Sequence, residues 1–461
     1  MTRKLVPWLA AVLLVVWAAG VPAAPVISDA NLQFRVLDNG LRVVVKEEHT
    51  WPVVTIGMYV KAGSLYEAPD QIGAAHLIEH LLFEAEDDDS EAKVAQYIEG
   101  IGGRMSAFTG RDFTHVDITI ASDQVETALE SILSTVLDAH FDEAAVAHEQ
   151  MVVAREIAEV NESALGLMDM VLWQNAFASH PYRNPIGGTA EAVRALTISR
   201  IRDFYSEFYV PNNMSLLVVG RVDADWFFRR VERLTAAHKS QPVQWRVPAP
   251  ETVQTEVRRQ IITRDSELSS LAYAWHAPGM PDKDEVCATD LIYTLLGQGQ
   301  TGRLYQTLVK DNQWAAAIDV SYLTQRCPGL FTVSVAVQGA NEMAVRKAVL
   351  EQTERLVHEP VSEEELARAK LLLKTEYAFH NESYAGQVGS MGFYESIDTY
   401  EFAVEYIDRI NAISVEQIQA VAGQIFRPDS YTLVVLRRQK DQPPTQEVRS
   451  PWPALALYPW R

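Results

Sequence analysis

The second half of this 461-residue chain repeats the pattern of its first half. The segment His76–Leu82 aligns with Asp290–Leu296, which lies 214 residues later, and the apolar positions match. The tripeptide Asn161-Glu-Ser163 aligns in the same way with Asn381-Glu-Ser383, 220 residues later, so one short insertion separates the two copies. Because repeated sequence indicates a repeated structural unit, we expect two homologous domains.

In each half, strand-like runs alternate with helical patterns. Asn39-Gly40 joins two strand-like runs and predicts a hairpin. Helical patterns run from Ser362 to Glu382 and resume at Val404, and the stretch between residues 164 and 199 is less regular. The predicted fold class is α+β, with two homologous domains, each an antiparallel-rich mixed sheet with helices packed on one face. The predicted division is a signal peptide (1–23), an N-terminal domain (24–237), a linker (238–251), a C-terminal domain (252–438) and a Pro- and Trp-rich tail (439–461).

The first residues have the pattern of a secretory signal peptide. Arg3 and Lys4 precede an apolar run over residues 5–19, and small residues follow up to a cleavage site after Ala23. We expect a periplasmic protein without stable membrane insertion, with an uncleaved anchor as the alternative because the run is only slightly shorter than a bilayer span. Removal of the two basic residues changes the formal net charge from −21 to −23. Such acidity argues against nucleic acid as a partner, since the phosphates would be repelled.

His76 and His80 are four residues apart in a mostly apolar segment. On a helix, this spacing places both imidazoles on one side, where they can bind a single ion. Glu79 lies on the same side, and the order His-x-x-Glu-His is an inverted form of the zinc-protease motif, with two His ligands and a Glu general base. The alternative is a pair of hydrogen-bonded core histidines and an interior carboxylate, because a motif of five residues also recurs by chance.

A catalytic zinc ion needs a third protein ligand. A helical pattern from Asp142 to Ala164 offers four candidates: Glu149, Glu156, Glu159 and Glu162. Glu149 and Glu156 are two helical turns apart and therefore share a face. Any one of the four is also compatible with a solvated surface carboxylate, so the spacing leaves the choice open.

An ordered set of motifs resembles the insulinase/pitrilysin family of zinc peptidases, in particular the shorter branch that includes the subunits of mitochondrial processing peptidase. The resemblance covers most of residues 31–437, including both halves, and the motifs that carry it are Asn39–Val45, Val60–Ser64 with Glu67, Gly73–Phe83, Gly102–Thr109 and Val152–Ile157. The resemblance implies one Zn²⁺ ion per chain, held by His76, His80 and Glu156. It also implies that Glu149 supports catalysis and that Glu79 is the general base for a zinc-activated water in the hydrolysis of peptides.

The same resemblance implies a substrate-binding strand made of Met105, Ser106, Ala107 and Phe108. In the family this edge strand pairs with an extended peptide. Most relatives have Asn at the position of Ser106, which removes one side-chain contact to substrate. An ordinary sheet edge is the alternative interpretation of this segment.

The chain departs from the family pattern in its second half. Active single-chain relatives have an Arg and a Tyr there that hold the substrate, and this chain has Val309 and Ala316 at those positions. The neighbouring Lys310 does not replace a guanidinium group, which binds in a planar, bidentate manner. Because unlike subunits of the shorter branch divide the two functions, we predict a heterodimer with a homologous subunit that carries the Arg/Tyr pair.

Other functions fit the sequence less well. Gly297–Gly302 matches the dinucleotide-binding fingerprint, but it follows a helix rather than a strand. Two rivals to a peptidase subunit are a non-catalytic assembly subunit of the same family and a metal-storage protein. Cys287 and Cys327 are too few for a thiolate zinc site, and sequence does not decide whether they form a disulfide.

Overall fold

The computed structural model describes residues 26–83, 92–246 and 248–439. The predicted signal peptide, the acidic run at 84–89 and all but the first residue of the predicted tail lie outside these residues. Within them, no helix combines the length and apolar character needed to cross a membrane. Cys287 and Cys327 are both free thiols.

The first half forms a six-stranded sheet in the order β1-β2-β6-β3-β5-β4. Only β2 and β6 pair in parallel, and the remaining neighbours are antiparallel. In chain order the elements are β1 (Leu32–Val36), β2 (Arg42–Glu47), β3 (Val53–Val60), α1 (Ala74–Leu81), α2 (Ala92–Gly100), β4 (Arg104–Thr109), β5 (Thr114–Ala121), α3 (Val125–Leu137), α4 (Glu143–Glu162), α5 (Ala164–Ala176), α6 (Ala190–Ala195), α7 (Ile198–Phe208), β6 (Met214–Gly220) and α8 (Ala224–Thr235).

The second half forms a five-stranded sheet in the order β7-β11-β8-β10-β9, again with one parallel pair, β7 and β11. Its strand order matches that of the first sheet without β1, so the predicted duplication and the α+β class are confirmed. The elements are β7 (Arg258–Arg264), β8 (Ser269–Ala277), α9 (Lys283–Gly297), β9 (Ala315–Tyr322), β10 (Gly329–Val337), α10 (Glu342–His358), α11 (Glu363–His380), α12 (Tyr384–Ile397), α13 (Glu401–Ala412), α14 (Val415–Ile425) and β11 (Thr432–Arg438).

Each sheet is covered on both faces, and the second face is covered by a helix from the other half. Along β3, Val54, Ile56 and Met58 pack with the helices of their own half, while Tyr59 belongs to the core of the second half. Helix α12 lies against β3 and β6, and helix α5 lies against β8 and β11. The halves are therefore joined by an exchange of helices, which the sequence did not predict.

The two crossing helices correct the sequence interpretation. The less regular stretch after residue 164 contains α5, and the gap before Val404 contains α12. Each helix starts at the serine of a repeated Asn-Glu-Ser tripeptide, where Ser163 caps α5 and Ser383 caps α12. The repeat therefore marked the start of both helices.

A buried carboxylate fixes α12 to the first sheet. The side chain of Glu395 is 0% exposed and accepts hydrogen bonds from Arg42 and from Ser215 Oγ, the latter at 3.2 Å. Lys61 Nζ lies 3.8 Å from the same carboxylate. Two cations and one hydroxyl group of the first half thus stabilise one carboxylate of the second half.

The predicted linker at 238–251 lies in a stretch without helix or strand among the described residues, between Thr235 and Arg258. Glu251, at its end, accepts three backbone hydrogen bonds from residues 178–180 at 2.8–3.0 Å. The linker is therefore attached to the turn that follows α5. The domain boundaries themselves stay a prediction.

Candidate metal centre

The predicted motif forms the short helix α1, which begins after Gly73. Gly73 has φ 90°, in the left-handed region that favours glycine, and no side chain of the helix caps its first turn. The buried carboxylate of Glu67 takes that role, because it accepts hydrogen bonds from the backbone N–H groups of Gly73 (2.9 Å) and Ala75 (3.0 Å). Burial raises the pKa of Glu67 to about 8, against the opposing effect of these N–H groups.

His76, His80 and Glu156 converge at one point. Each offers one ligand atom, and these atoms all lie within 4.8 Å of one another. The distance from His80 Nε2 to Glu156 Oε2 is 3.4 Å. A tetrahedral zinc ion with ligand distances of about 2.1 Å separates two of its ligands by about 3.4 Å, so this pair already has the right spacing. No other set of three His, Cys, Asp or Glu ligands converges in this way in the part of the chain that the structure describes.

Glu149 lies behind His80 rather than in the cluster. His80 Nδ1 lies 2.8 Å from Glu149 Oε2, and this carboxylate is buried. A histidine that donates from Nδ1 presents a lone pair at Nε2, which here faces Glu156. Carboxylates commonly orient metal-binding histidines in this way. Among the four candidate carboxylates, the structure therefore assigns Glu156 to the cluster and Glu149 to the support of His80, while Glu159 pairs with Arg155.

Glu79 is half-buried beside the cluster, next to Thr109 at the end of strand β4. A hydrogen bond from Thr109 lowers its pKa, but burial dominates and the net effect is a raised pKa. Its Oε2 atom is buried and has no hydrogen-bond partner. A buried oxygen without a partner is costly, so this atom is suited to a ligand that donates a proton.

The two histidines differ in their electrostatic environment. Burial, with a smaller contribution from His80, lowers the pKa of His76 to about 4, so His76 is neutral at neutral pH, as a metal ligand must be. Burial acts in the same direction on His80, but its hydrogen bond to Glu149 and the charges of Glu156 and Glu79 outweigh that effect and raise its pKa.

A glycine loop closes the site on the side of His76. A Cβ atom on Gly187 would lie 3.2 Å from His76 Nδ1, and Gly188 packs against Gly73 with φ 72°. A larger residue at Gly187 would therefore displace the imidazole. Sequence reasoning missed this loop, and it counted Glu67 among the family motifs without giving it a role.

Two family models match the chain in succession. Residues 42–190 match the model described as insulinase (peptidase family M16), and residues 195–373 match the model described as peptidase M16 inactive domain. The chain belongs to the insulinase family, M16. The second model runs from the end of α6 in the first half to α11 in the second half.

Known proteins resemble this M16 chain over nearly its whole length. An uncharacterized zinc protease of Bacillus subtilis is 23% identical over 407 residues, which are 88% of this chain and 98% of the relative. A zinc protease of Helicobacter pylori is 25% identical over 87% of this chain and 91% of the relative. The crystal structure of a protease from Helicobacter pylori has a TM-score of 0.83 at 24% identity, covering 88% of this chain and 99% of the other. At this identity the structural match supports the fold.

The predicted substrate strand of this M16 chain lies at an edge of the sheet. Strand β4 contains Met105, Ser106, Ala107 and Phe108, and among the described strands it pairs only with β5. Met105 and Ala107 pack against the core of the first half. Ser106 Oγ donates to Asp117 Oδ1 at 3.0 Å, so it is engaged within the sheet. Substrate binding by this strand stays a prediction.

The second half has no equivalent of the metal cluster among its described residues. Helix α9 carries Asp290, Tyr293 and Thr294 at the positions of His76, Glu79 and His80. Val309 and Lys310 lie in a π-helical segment, Tyr305–Asp311, and Lys310 Nζ donates to Gln306 at 3.1 Å. Ala316 lies in β9. The two positions predicted from the resemblance thus carry a valine in a π-helical segment and an alanine in a strand.

Proposed function

We propose that this chain is a zinc-dependent endopeptidase subunit that hydrolyses extended peptides inside a chamber closed by a second, homologous subunit. The convergence of His76, His80 and Glu156 beside Glu79 carries this proposal. Membership of the M16 family and the zinc proteases among the relatives support it. With a signal peptide at residues 1–23, the proposed location is the periplasm.

The donor set fits zinc. Two imidazoles and one carboxylate are the ligands of many catalytic zinc sites, and they leave a fourth position open. A bound zinc ion would supply Lewis-acid chemistry by lowering the pKa of a water molecule and polarising the scissile carbonyl. His76, His80 and Glu156 would hold this ion, while Glu149 keeps His80 in the tautomer that presents Nε2.

Glu79 moves the proton in this mechanism. Its raised pKa makes this half-buried carboxylate a better proton acceptor than a solvated glutamate. It accepts the proton of the attacking water at Oε2, the atom without a protein partner, and then donates it to the leaving amine. Strand β4 would hold the peptide by backbone hydrogen bonds along its unpaired edge, which leads directly to Thr109 next to Glu79.

The partner subunit completes the substrate site. In this proposal it provides the Arg and Tyr for which this chain has Val309 and Ala316, and it lacks the His-x-x-Glu-His motif. Fully active homodimers of this chain alone would overturn the heterodimer and leave the zinc site intact as a proposal.

The test is co-purification from the native host, followed by a peptide-cleavage assay with the wild type and with Glu79→Gln. We expect the zinc-loaded complex to cleave extended peptides and the variant to lose at least ~100-fold in rate, as is typical for removal of a general base. A complex that binds zinc and cleaves nothing would favour the non-catalytic subunit. Stoichiometric zinc with no effect of Glu79→Gln on function would favour metal storage.

A further inference from the structure

The second half contains a cavity at the position that corresponds to the metal centre. It lies between α9 and α11, as the metal centre lies between α1 and α4, and its volume is about 100 Å³. Asp290 on α9 aligns with His76, and Glu376 on α11 lies 220 residues after Glu156. Both acidic residues line the cavity. The duplication has therefore kept a polar site here and changed its side chains.

Carboxylates and tyrosine rings dominate the cavity wall. Asp290 is only 4% exposed and accepts a hydrogen bond from Tyr406 Oη at 2.8 Å. Tyr293, Tyr377 and Tyr394 line the same space. The Tyr377 hydroxyl donates to a backbone carbonyl at 2.7 Å, away from the acidic groups.

The glycine-rich loop also contributes to this site. Gln298 donates from its side-chain amide to Glu376, and its Oε1 atom is buried with no hydrogen-bond partner. Gln298 lies in the segment Gly297–Gly302 that matched a dinucleotide fingerprint. In the structure this loop holds the side chain of Glu376 at the cavity through Gln298. This role of the loop is unrelated to nucleotide binding.

The side chains of the cavity wall that can carry a charge at neutral pH are acidic. Burial lowers the pKa of His380, so the imidazole is neutral at neutral pH, and its buried Nε2 atom has no hydrogen-bond partner. Among the described residues that line the cavity there is no lysine or arginine. The acidic groups do not converge as metal ligands either, because the only converging set in the described chain is the zinc site. An organic cation fits this combination of carboxylates and aromatic rings.

We propose that this cavity binds the cationic end of a lysine or arginine side chain. A cavity of about 100 Å³ has room for an ammonium or guanidinium group. Asp290 and Glu376 would pair with the charge, and the tyrosine rings would add cation–π attraction. The assignment of a peptide as the source of this side chain rests on the proposed function; the cation site itself does not.

Aromatic contacts connect the cavity to the predicted substrate strand. Phe393 lines the cavity, and its ring centroid lies 5.8 Å from that of Phe113. Phe113 in turn lies 6.3 Å from Phe108 on β4. Phe393 and Phe108 are therefore within about 12 Å of each other, a span of roughly four residues of extended chain. A peptide paired with β4 can thus place a nearby basic side chain in the cavity.

The cation site is tested with n-butylammonium, which is the end of a lysine side chain, and with uncharged 1-pentanol of similar size. Isothermal titration calorimetry on the full chain should show one n-butylammonium bound per chain and no comparable binding of the alcohol. Glu376→Gln, which removes one charge and keeps the shape, should weaken binding at least tenfold. Glu364→Gln, at an exposed position of the same helix, is the matched control and should bind as the wild type does.

A second variant distinguishes a loss of binding from a folding defect. Tyr293→Leu removes one half-buried ring and should weaken n-butylammonium several-fold, with an unchanged circular dichroism spectrum. Absence of n-butylammonium binding to the wild type would overturn the proposal. Equal binding by the wild type and Glu376→Gln would overturn it as well.

The peptide source is tested separately, in the zinc-loaded Glu79→Gln chain with its co-purified partner. Two peptides are compared that differ at one position, which is lysine in one and norleucine in the other. The lysine peptide should bind at least fivefold more tightly, and Glu376→Gln should abolish this preference. Binding of n-butylammonium without any lysine preference would assign the cavity to a free organic cation and overturn the peptide source. Because Glu79→Gln blocks hydrolysis, none of these results depends on whether the complex is a peptidase.

Discussion

His80 Nδ1 lies 2.8 Å from Glu149 Oε2, while His80 Nε2 lies 3.4 Å from Glu156 Oε2. One imidazole thus connects two carboxylates that are seven residues apart on α4. Glu149 is buried and Glu156 is exposed, so the first can fix the ring while the second remains accessible to an ion. Helix α4 therefore provides both a ligand position and its support.

Glu149→Gln should weaken zinc binding by about 10- to 100-fold, because the neutral amide no longer favours the donor at His80 Nδ1. Glu156→Gln should weaken it further, because a ligand is lost. Competition with a chromogenic chelator measures both affinities. Glu162→Gln, near the end of the same helix and outside the cluster, is the control and should retain wild-type affinity. An unchanged zinc affinity of Glu149→Gln would show that the buried carboxylate does not orient His80.

Local patterns in the sequence were enough to place the motif and its strand. The four-residue spacing of His76 and His80 defines a helical face, and strand β4 (Arg104–Thr109) contains the predicted strand residues, Met105 to Phe108. The choice between Glu149 and Glu156 could not be made from local patterns. Both share a face of α4, so only the resemblance, and then the distance to His80, separates them. The supports of the site, Glu67 and Gly187, come from segments that sequence alone could not bring together.

The crossing helices were missed for a physical reason. Helix α12 contains Gly386, Gly389 and Gly392, and glycine disfavours an isolated helix by about 1 kcal/mol per residue. Its stability comes from contact with β3 and β6 in the other half, which leaves no local signal. Tertiary packing thus overrides propensity at α12.

Gly392→Ala should destabilise the protein, because a Cβ atom there would overlap the Tyr59 ring. Overpacking of this kind costs about 1–3 kcal/mol in the free energy of unfolding. Gly423→Ala on α14 is the matched control, because its Cβ would lie 3.9 Å from the nearest side chain. This variant should stabilise the protein by up to about 1 kcal/mol. Urea denaturation of both variants measures the difference. Equal stabilisation by both would contradict the close contact between α12 and β3.

Glu395→Ala should lower the free energy of unfolding by about 3–5 kcal/mol, because Arg42 and Lys61 would lose the charge they face in a largely buried position. Since Glu395 connects α12 to the first sheet, we also expect the two halves to unfold in separate steps. Differential scanning calorimetry distinguishes one transition from two. Glu401→Ala, at an exposed position of the second half, should keep the wild-type transition. A single transition with unchanged midpoint in Glu395→Ala would rule out this connection.

His180 should make the protein less stable in mild acid. It is 3% exposed, and burial lowers its pKa to about 4. Between pH 6.5 and 4 the unfolded chain therefore binds a proton that the folded chain does not, and the unfolding free energy falls as the pH falls. The contribution of neutral His180 to the unfolding free energy is fully present above pH 6.5 and lost below pH 4. It amounts to at most about 3 kcal/mol.

The measurement compares urea denaturation of the wild type and His180→Asn between pH 4 and 7. Asn does not titrate and can still accept the hydrogen bond that Tyr182 N–H donates to His180 Nδ1 at 3.2 Å. The variant should therefore lose less stability than the wild type over this range. Protonation of other buried groups, including His276, whose pKa is also lowered by burial, occurs in both proteins, so only the repulsion between His276 and His180 adds to the difference. His140→Asn, at an exposed position, should follow the wild type, and parallel curves for all three proteins would show that His180 is not held neutral by burial.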